Sequence, residues 1–302
     1  MKDPYLLHMF NPTKNVSPFD VNMAYEAEFD GVIPYSEVAL DDIHALTQDT
    51  IFSRGENSCR RTGIFIGGRE FGLAIDMLNR AKTAMVSPFE VSVFADPSGA
   101  ITTAAALMAC IEVQLKKNTG DSLSGKRVDI IGGTGPVGVC AGILAANCGA
   151  EVSLTSRRGA KVATEYASEY NSRFAVEMLG VDSSTDEKIM AFLTETHIVI
   201  GTAKAGIQVL SKKHLEQASN LLVAADVNAV PPLGIEGVGV HDMGVELPNT
   251  PKKAVGLGAL AIGDIKYKVH FKMFEMMKNT DTPLYLDHEK AFDVAREFAA
   301  KL

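Results

Sequence analysis

Three observations predict an α/β protein of two domains. Short β-branched or aromatic runs alternate with helix-period segments through nearly the whole chain, the pattern of parallel strands joined by crossover helices. One polar stretch, 116–126, interrupts that rhythm, which then restarts. The length of 302 residues also suffices for two cores, at roughly 100–200 residues per domain.

In the first part, strands are expected at 5–10, 32–35, 62–67 and 90–96, with helices near 19–29, 41–50 and 71–84. A longer helix runs from about 98 to 117: Asp96, Pro97 and Ser98 suit its start, and Lys116, Lys117, Asn118 and Gly120 its end. Beyond the boundary, strands are expected at 127–131, 151–155, 174–178, 197–201 and 221–227, in a doubly wound order. Two more helices follow, about 264–278 and 287–301, and the last is expected to return to the first domain. The predicted domains are therefore 1–120 with 283–302 packed back on it, and 121–282.

Composition narrows the function classes. With 46% hydrophobic and 22% charged residues, the chain is neither disordered nor collagen-like nor a disulfide scaffold. A net charge of −8 argues against nucleic acid and anionic membranes as partners, while leaving room for a local basic pocket. The start, MKDPYLLHMF, lacks signal-peptide character, and no apolar run stands out as a membrane span. Cys59, Cys110, Cys140 and Cys148 form no CxxC pair and read as reduced packing residues. A cytoplasmic, soluble protein is the expectation.

The strongest local signal is Gly133-Thr134-Gly135-Pro136-Val137-Gly138, between a strand and the small-residue helix 139–147. In this context the first glycine permits a tight turn, the second admits a pyrophosphate, and the third lets helix and strand pack closely. The second domain is thus expected to be a Rossmann-type dinucleotide-binding sheet. Where an NAD site usually carries a carboxylate, at the end of its second strand, this chain has Ser156-Arg157-Arg158. Guanidinium groups match a 2′-phosphate better than a neutral hydroxyl, so NADP is expected as cofactor, with NAD also accepted.

Further segments sharpen the reading. LLHMFNPTKNVSPFDVNMA, IPYSEVALDDIHALTQDTIFSR, RTGIFIGG, VFADPSGAITTAAA, the GGTGPVG turn, DVNAVPPLGI and VGLGALAIGDIKYKVH occur in this order. Together they make the chain resemble, over essentially its whole length, the NAD(P)-dependent methylene-tetrahydromethanopterin dehydrogenases of methylotrophic bacteria. The overall likeness is to the branch that takes either cofactor, whereas the Ser-Arg-Arg segment looks more like the NADP-specific branch. The resemblance implies a pterin-binding domain and a cofactor domain with a cleft between them. It also implies hydride transfer from the methylene bridge to the nicotinamide, in one-carbon (formaldehyde) oxidation. Cyclohydrolase activity is not expected, because the Tyr-x-x-x-Lys pair of the related folate enzymes is missing from the first domain.

That reaction transfers no proton in its central step, so positioning and the local field carry most of the chemistry. No catalytic triad is apparent, and the scattered histidines show no metal-ligand spacing, so no metal is expected. On the substrate side, Lys14, Asp20 and Asn22 follow the first strand; Asp20 either accepts from a pterin N–H or joins Ser17 in a helix cap. Arg54, with Arg61, either meets an anionic tail or is surface charge. Lys266, expected in a helix's first turn where a cation is disfavoured, is assigned with Asp20 to catalysis. Thr202, Ala203 and Lys204 after the fourth strand, Asp226 and Asn228 after the fifth, and Gly258 in the run 256–263 complete the cofactor side. Competing readings are a methylene-tetrahydrofolate dehydrogenase, a shikimate-type keto-acid reductase using Lys14 and Asp20, and an NADP-binding sensor without catalysis. A homo-oligomer is expected.

Overall fold

In the computed structural model, which describes residues 3–302, the alternation becomes two separate sheets, one in each of two compact units. The first part of the chain supplies β1 (Leu6–Phe10), α1 (Pro18–Glu26), β2 (Gly31–Tyr35), α2 (Asp42–Phe52), α3 (Glu56–Cys59), β3 (Thr62–Ile66), α4 (Phe71–Ala84) and β4 (Ser92–Ala95). Next come α5 (Ala100–Thr119), β5 (Arg127–Ile131), α6 (Pro136–Asn147), β6 (Glu151–Ser156), α7 (Ala160–Phe174), β7 (Met178–Asp182), α8 (Asp186–Leu193), β8 (Ile198–Gly201), α9 (Lys212–Gln217) and β9 (Val223–Asp226). The remainder is β10 (Met243–Glu246), β11 (Val255–Leu257), α10 (Ala259–Lys278), β12 (Tyr285–Leu286) and α11 (His288–Ala299).

The first sheet runs β12-β4-β3-β1-β2, all parallel, so its order reverses between β1 and β3. Its central strands are buried on both faces: Leu7, Phe10, Ile64, Phe65, Ile66 and Phe94 are almost fully shielded from solvent. Helix α4 covers part of it through Phe71, Met77 and Leu78. The short strand β12 brings the end of the chain back onto this sheet, beside β4. That return was expected as a helix; the edge strand makes it, while Ala295–Leu302, from within α11 to the end, group with the second unit.

The second sheet runs β10-β11-β9-β8-β5-β6-β7. It is parallel apart from β10, which pairs antiparallel with β11. Counted from β5, its parallel strands follow the doubly wound order 3-2-1-4-5-6, whose reversal lies between β5 and β8. One face packs Ile131, Phe192, Leu193, Val199, Leu210, Leu215 and Ala224 into a continuous apolar cluster. On the other face Gly142 lets α6 settle against Ile130, Leu154 and Met178. Strand β7 is a correction to the sequence reading: α7 continues to Phe174 and ends at Ala175, which is left-handed at φ 53°, so the strand starts at Met178.

The chain divides into 1–102 with 267–294, and 103–266 with 295–302. All three break points fall inside helices, α5, α10 and α11, and not at the polar stretch 116–126. Helix α5 has the length and mean hydropathy, 1.4, of a membrane span, but 78% of that segment is buried within the protein. Its sequence is apolar because it is a core helix. Cys59, Cys110 and Cys140 are buried and Cys148 half-buried, all as free thiols.

Candidate functional site

In parallel sheets, ligands gather at the carboxyl ends of the strands, where the order reverses. In the second unit that place is the turn after β5. Gly132 adopts φ +78°, and a Cβ there would stand 2.8 Å from the backbone of Ala203. The turn after β8 therefore lies against the turn after β5, with the Thr202 hydroxyl donating to the Ile131 carbonyl at 3.2 Å.

The three fingerprint glycines divide their roles by geometry. A Cβ on Gly133 would meet the Ile130 carbonyl at 2.8 Å, and one on Gly138 the Cα of Gly133 at 2.7 Å. Gly135 differs, since its Cβ would meet only the Gly132 carbonyl at 3.5 Å. Gly133 and Gly138 are thus fixed by the protein's own packing, while Gly135, at the N-cap of α6, has free space before it. Thr134, Gly135, Pro136 and Val137 are all partly exposed there. A bare turn followed by a helix N-terminus fits a pyrophosphate, whose charge the terminal N–H groups favour.

At the end of β6, Ser156 is buried and its hydroxyl oxygen accepts from the Arg158 N–H at 3.2 Å, which shapes the loop carrying both arginines. Arg157 and Arg158 are exposed, and the Arg158 guanidinium stands 5.9 Å from the Tyr166 ring centre. No ion pair holds Arg157 among the described residues.

Asp226 and Asn228 are buried and bind their own backbone. Asp226 Oδ1 accepts from the Asn228 N–H at 3.0 Å and Oδ2 from the Ile235 N–H at 3.1 Å. Burial pushes the Asp226 carboxyl above its ordinary value, against these backbone donors and that of Gly234. Asn228 accepts from the N–H groups of Gly206 and Val230 and donates to the Pro232 carbonyl at 2.9 Å. Both side chains shape the 226–235 loop that follows β9. Gly258 likewise has a packing reason: its Cβ would fall 2.0 Å from the Gly239 carbonyl.

In the first unit the order reverses between β1 and β3, and the segment after β1 leads into α1. Asn11 organises it, donating to the Thr13 carbonyl at 2.7 Å and the Asn15 carbonyl at 3.0 Å. Lys14 is exposed in this segment. Asp20, in the first turn of α1, is 3% exposed, and the Ser17 side chain makes no cap hydrogen bond. Asn22 is exposed two residues on.

Arg54 lies elsewhere. Its guanidinium pairs with Asp3 and donates to the carbonyls of Pro4 and Arg61, each at 3.1 Å, and to Thr62 Oγ1 at 3.0 Å. These groups precede or begin β1 and β3, at the amino edge of the sheet, opposite the edge where ligands gather. Arg54 is a structural clamp, which corrects its assignment to the substrate. Lys266 requires a different correction. Helix α10 starts at Ala259, so Lys266 stands in its third turn and the helix-dipole reason for singling it out lapses. It remains half-buried, four residues before His270 on the same helix face.

Sequence reasoning missed one carboxylate. Asp182, at the end of β7, faces Ser156 in register, and its Oδ2 stands 3.8 Å from the Cβ position of Gly159 in the arginine loop. The signal was present: Asp182-Ser183-Ser184-Thr185 is turn and capping chemistry that marks a strand end before a helix.

Sheet order, glycine turn and basic loop together define a two-unit α/β protein of the dinucleotide-binding type. A family described as methylene-tetrahydromethanopterin dehydrogenase, N-terminal, matches residues 18–98. The chain is 44% identical over 294 residues to the NAD(P)-dependent methylenetetrahydromethanopterin dehydrogenase of Methylorubrum extorquens, covering 97% of this chain and 98% of that protein. It is 33% identical to the bifunctional protein MdtA of the same organism, over 97% of this chain and 99% of that one. Among solved structures, shikimate 5-dehydrogenase from Listeria monocytogenes shares the fold, with a TM-score of 0.53, 16% identity, and coverage of 99% and 97% of the two chains. The chain belongs to the methylene-tetrahydromethanopterin dehydrogenase family.

Proposed function

We propose that this protein oxidises methylene-tetrahydromethanopterin to the methenyl form, passing a hydride to NADP or NAD in one-carbon oxidation. The observation that carries the reading is the 44% identity with the Methylorubrum extorquens dehydrogenase across 97% of the chain. The bound nicotinamide supplies the hydride acceptor. The chain's own residues position the partners. The 133–138 turn receives the pyrophosphate, and Arg157 and Arg158 take the 2′-phosphate of NADP. Thr202 and Ala203 border the same turn.

Asp20 is the proposed acceptor for a pterin N–H, with Lys14 and Asn22 beside it on the first unit's ligand edge. Lys266 is proposed to orient the pterin and to keep nearby carboxylates from trapping the cationic product. Both roles are positioning and electrostatic, as suits a step without proton transfer. The same reading makes the first unit the pterin side and the second the cofactor side of a cytoplasmic homo-oligomer.

The deciding assay offers purified protein methylene-tetrahydromethanopterin and methylene-tetrahydrofolate, each with NADP and NAD, and follows reduced nicotinamide by absorbance. Turnover of the methanopterin substrate is expected; turnover of the folate alone would move the assignment to the folate reaction, and none with either would remove the proposal. Lys266→Ala should lower kcat/KM by at least roughly tenfold without shifting the unfolding midpoint. A near-normal enzyme would take Lys266 out of the site.

A further inference from the structure

The Ser-Arg-Arg segment at the end of β6 lacks the carboxylate that an NAD site usually offers the ribose 2′-hydroxyl. The fold brings one from the neighbouring strand. Ser156 and Asp182 are register partners in adjacent parallel strands, about 4.8 Å apart. Two further bonds tie the strand ends together: the Ser183 N–H donates to the Ser156 carbonyl at 3.1 Å, and the hydroxyls of Thr155 and Ser183 are 3.0 Å apart. Gly159, at φ +100°, closes the arginine loop, and a Cβ built there would stand 3.8 Å from Asp182 Oδ2. No longer side chain at 159 screens the carboxylate from that loop.

Asp182 is held anionic. Lys188 Nζ lies 2.8 Å from Oδ2, the Ser184 N–H donates to Oδ1 at 2.8 Å, and these contacts hold the carboxyl well below the usual range. Lys188 stands in the first turn of α8, where the helix dipole disfavours a cation. The Asp182 carboxylate gives that lysine its reason to be there.

Resting on the cofactor reading above, we propose that Asp182, with Lys188 as its counter-ion, is a second determinant of the choice between NAD and NADP. The carboxylate accepts from the 2′-hydroxyl of NAD, while its charge opposes the 2′-phosphate of NADP that Arg157 and Arg158 attract. Lys188 sets how much of that negative charge the ribose end meets. A loop with cations on one side and a tempered carboxylate on the other suits both cofactors.

The test is direct binding of NADPH and NADH, read by nicotinamide fluorescence in the absence of pterin; the chain has no tryptophan to interfere. Asp182→Asn is isosteric and retains an acceptor for the Ser184 N–H. It should weaken NADH and move the NADPH/NADH affinity ratio towards NADPH by about tenfold, the size expected for losing a charge-assisted hydrogen bond. Lys188→Met should move the ratio the other way, by roughly threefold or more. Partial unfolding lowers the competent fraction equally for both cofactors and leaves the ratio alone. An unmoved ratio in both variants, or shifts in the same direction, overturns the inference. A wild-type protein that binds neither cofactor overturns the cofactor reading itself and this inference with it.

Discussion

Asp96→Ala is expected to destabilise the protein by about 3–5 kcal/mol, the range for removing one partner of a buried, hydrogen-bonded polar cluster. Asp96 is fully buried at the end of β4 and serves several donors at once. Its Oδ1 accepts from the N–H groups of Ile101 and Thr102 at 2.9 and 3.1 Å, which caps the start of α5. Its Oδ2 accepts from the Thr102 hydroxyl at 2.6 Å and hydrogen-bonds Nδ1 of the fully buried His270 at 2.8 Å. Alanine leaves these groups in an apolar setting, because His270 is ringed by Phe19, Phe65, Phe94 and Phe274 at 5.0–6.0 Å between ring centres. Phe19 precedes Asp20, so loosening this cluster should also raise KM for the pterin. Denaturant unfolding with steady-state kinetics checks both; a midpoint within about 0.5 kcal/mol of wild type would show that the cluster holds nothing.

Gly135→Ala should lower cofactor affinity by at least roughly tenfold while changing stability by no more than about 1 kcal/mol, the N-cap difference between the two residues. Its φ of −81° is open to alanine, and its Cβ makes one ordinary contact inside the protein. What the methyl group meets is the ligand. Gly138→Ala behaves in the opposite sense. The added carbon falls 2.7 Å from the Gly133 Cα and 2.9 Å from its carbonyl, so strand and helix must part, with a loss of about 1–3 kcal/mol. Measuring NADPH binding and thermal unfolding on both variants separates a glycine kept for a ligand from one kept for packing. Equal behaviour of the two would contradict that division.

Much of this was legible in the chain. Strands β1, β3 and β5 fall where β-branched and aromatic runs place them, and the glycine fingerprint sits between its strand and helix as read. Those features are local, since a strand's buried face and a turn's glycines are written within a few residues of one another. Errors came where two signals overlapped. Phe174 looked like the start of a strand because an aromatic serves a helix end equally well, and α7 took it. The last long helix was expected to start only near 264, because the small residues of the run 256–263 give little helical signal, yet Ala259–Gly263 open α10.

By itself the sequence determined the two α/β units, the nucleotide turn, the basic loop beside it and the family, each through residues adjacent in the chain. The tertiary structure alone decided which polar residues had their hydrogen bonds already taken. Arg54 was claimed by three carbonyl or hydroxyl groups and Asp3, and Asp226 by its own loop. It also decided which residues distant in sequence meet: Asp182 beside Gly159, and His270 against Asp96, 174 residues away. The physical reason is that a hydrogen bond or a charge acts over a few ångströms of space, and only strand order and register determine which residues come that close.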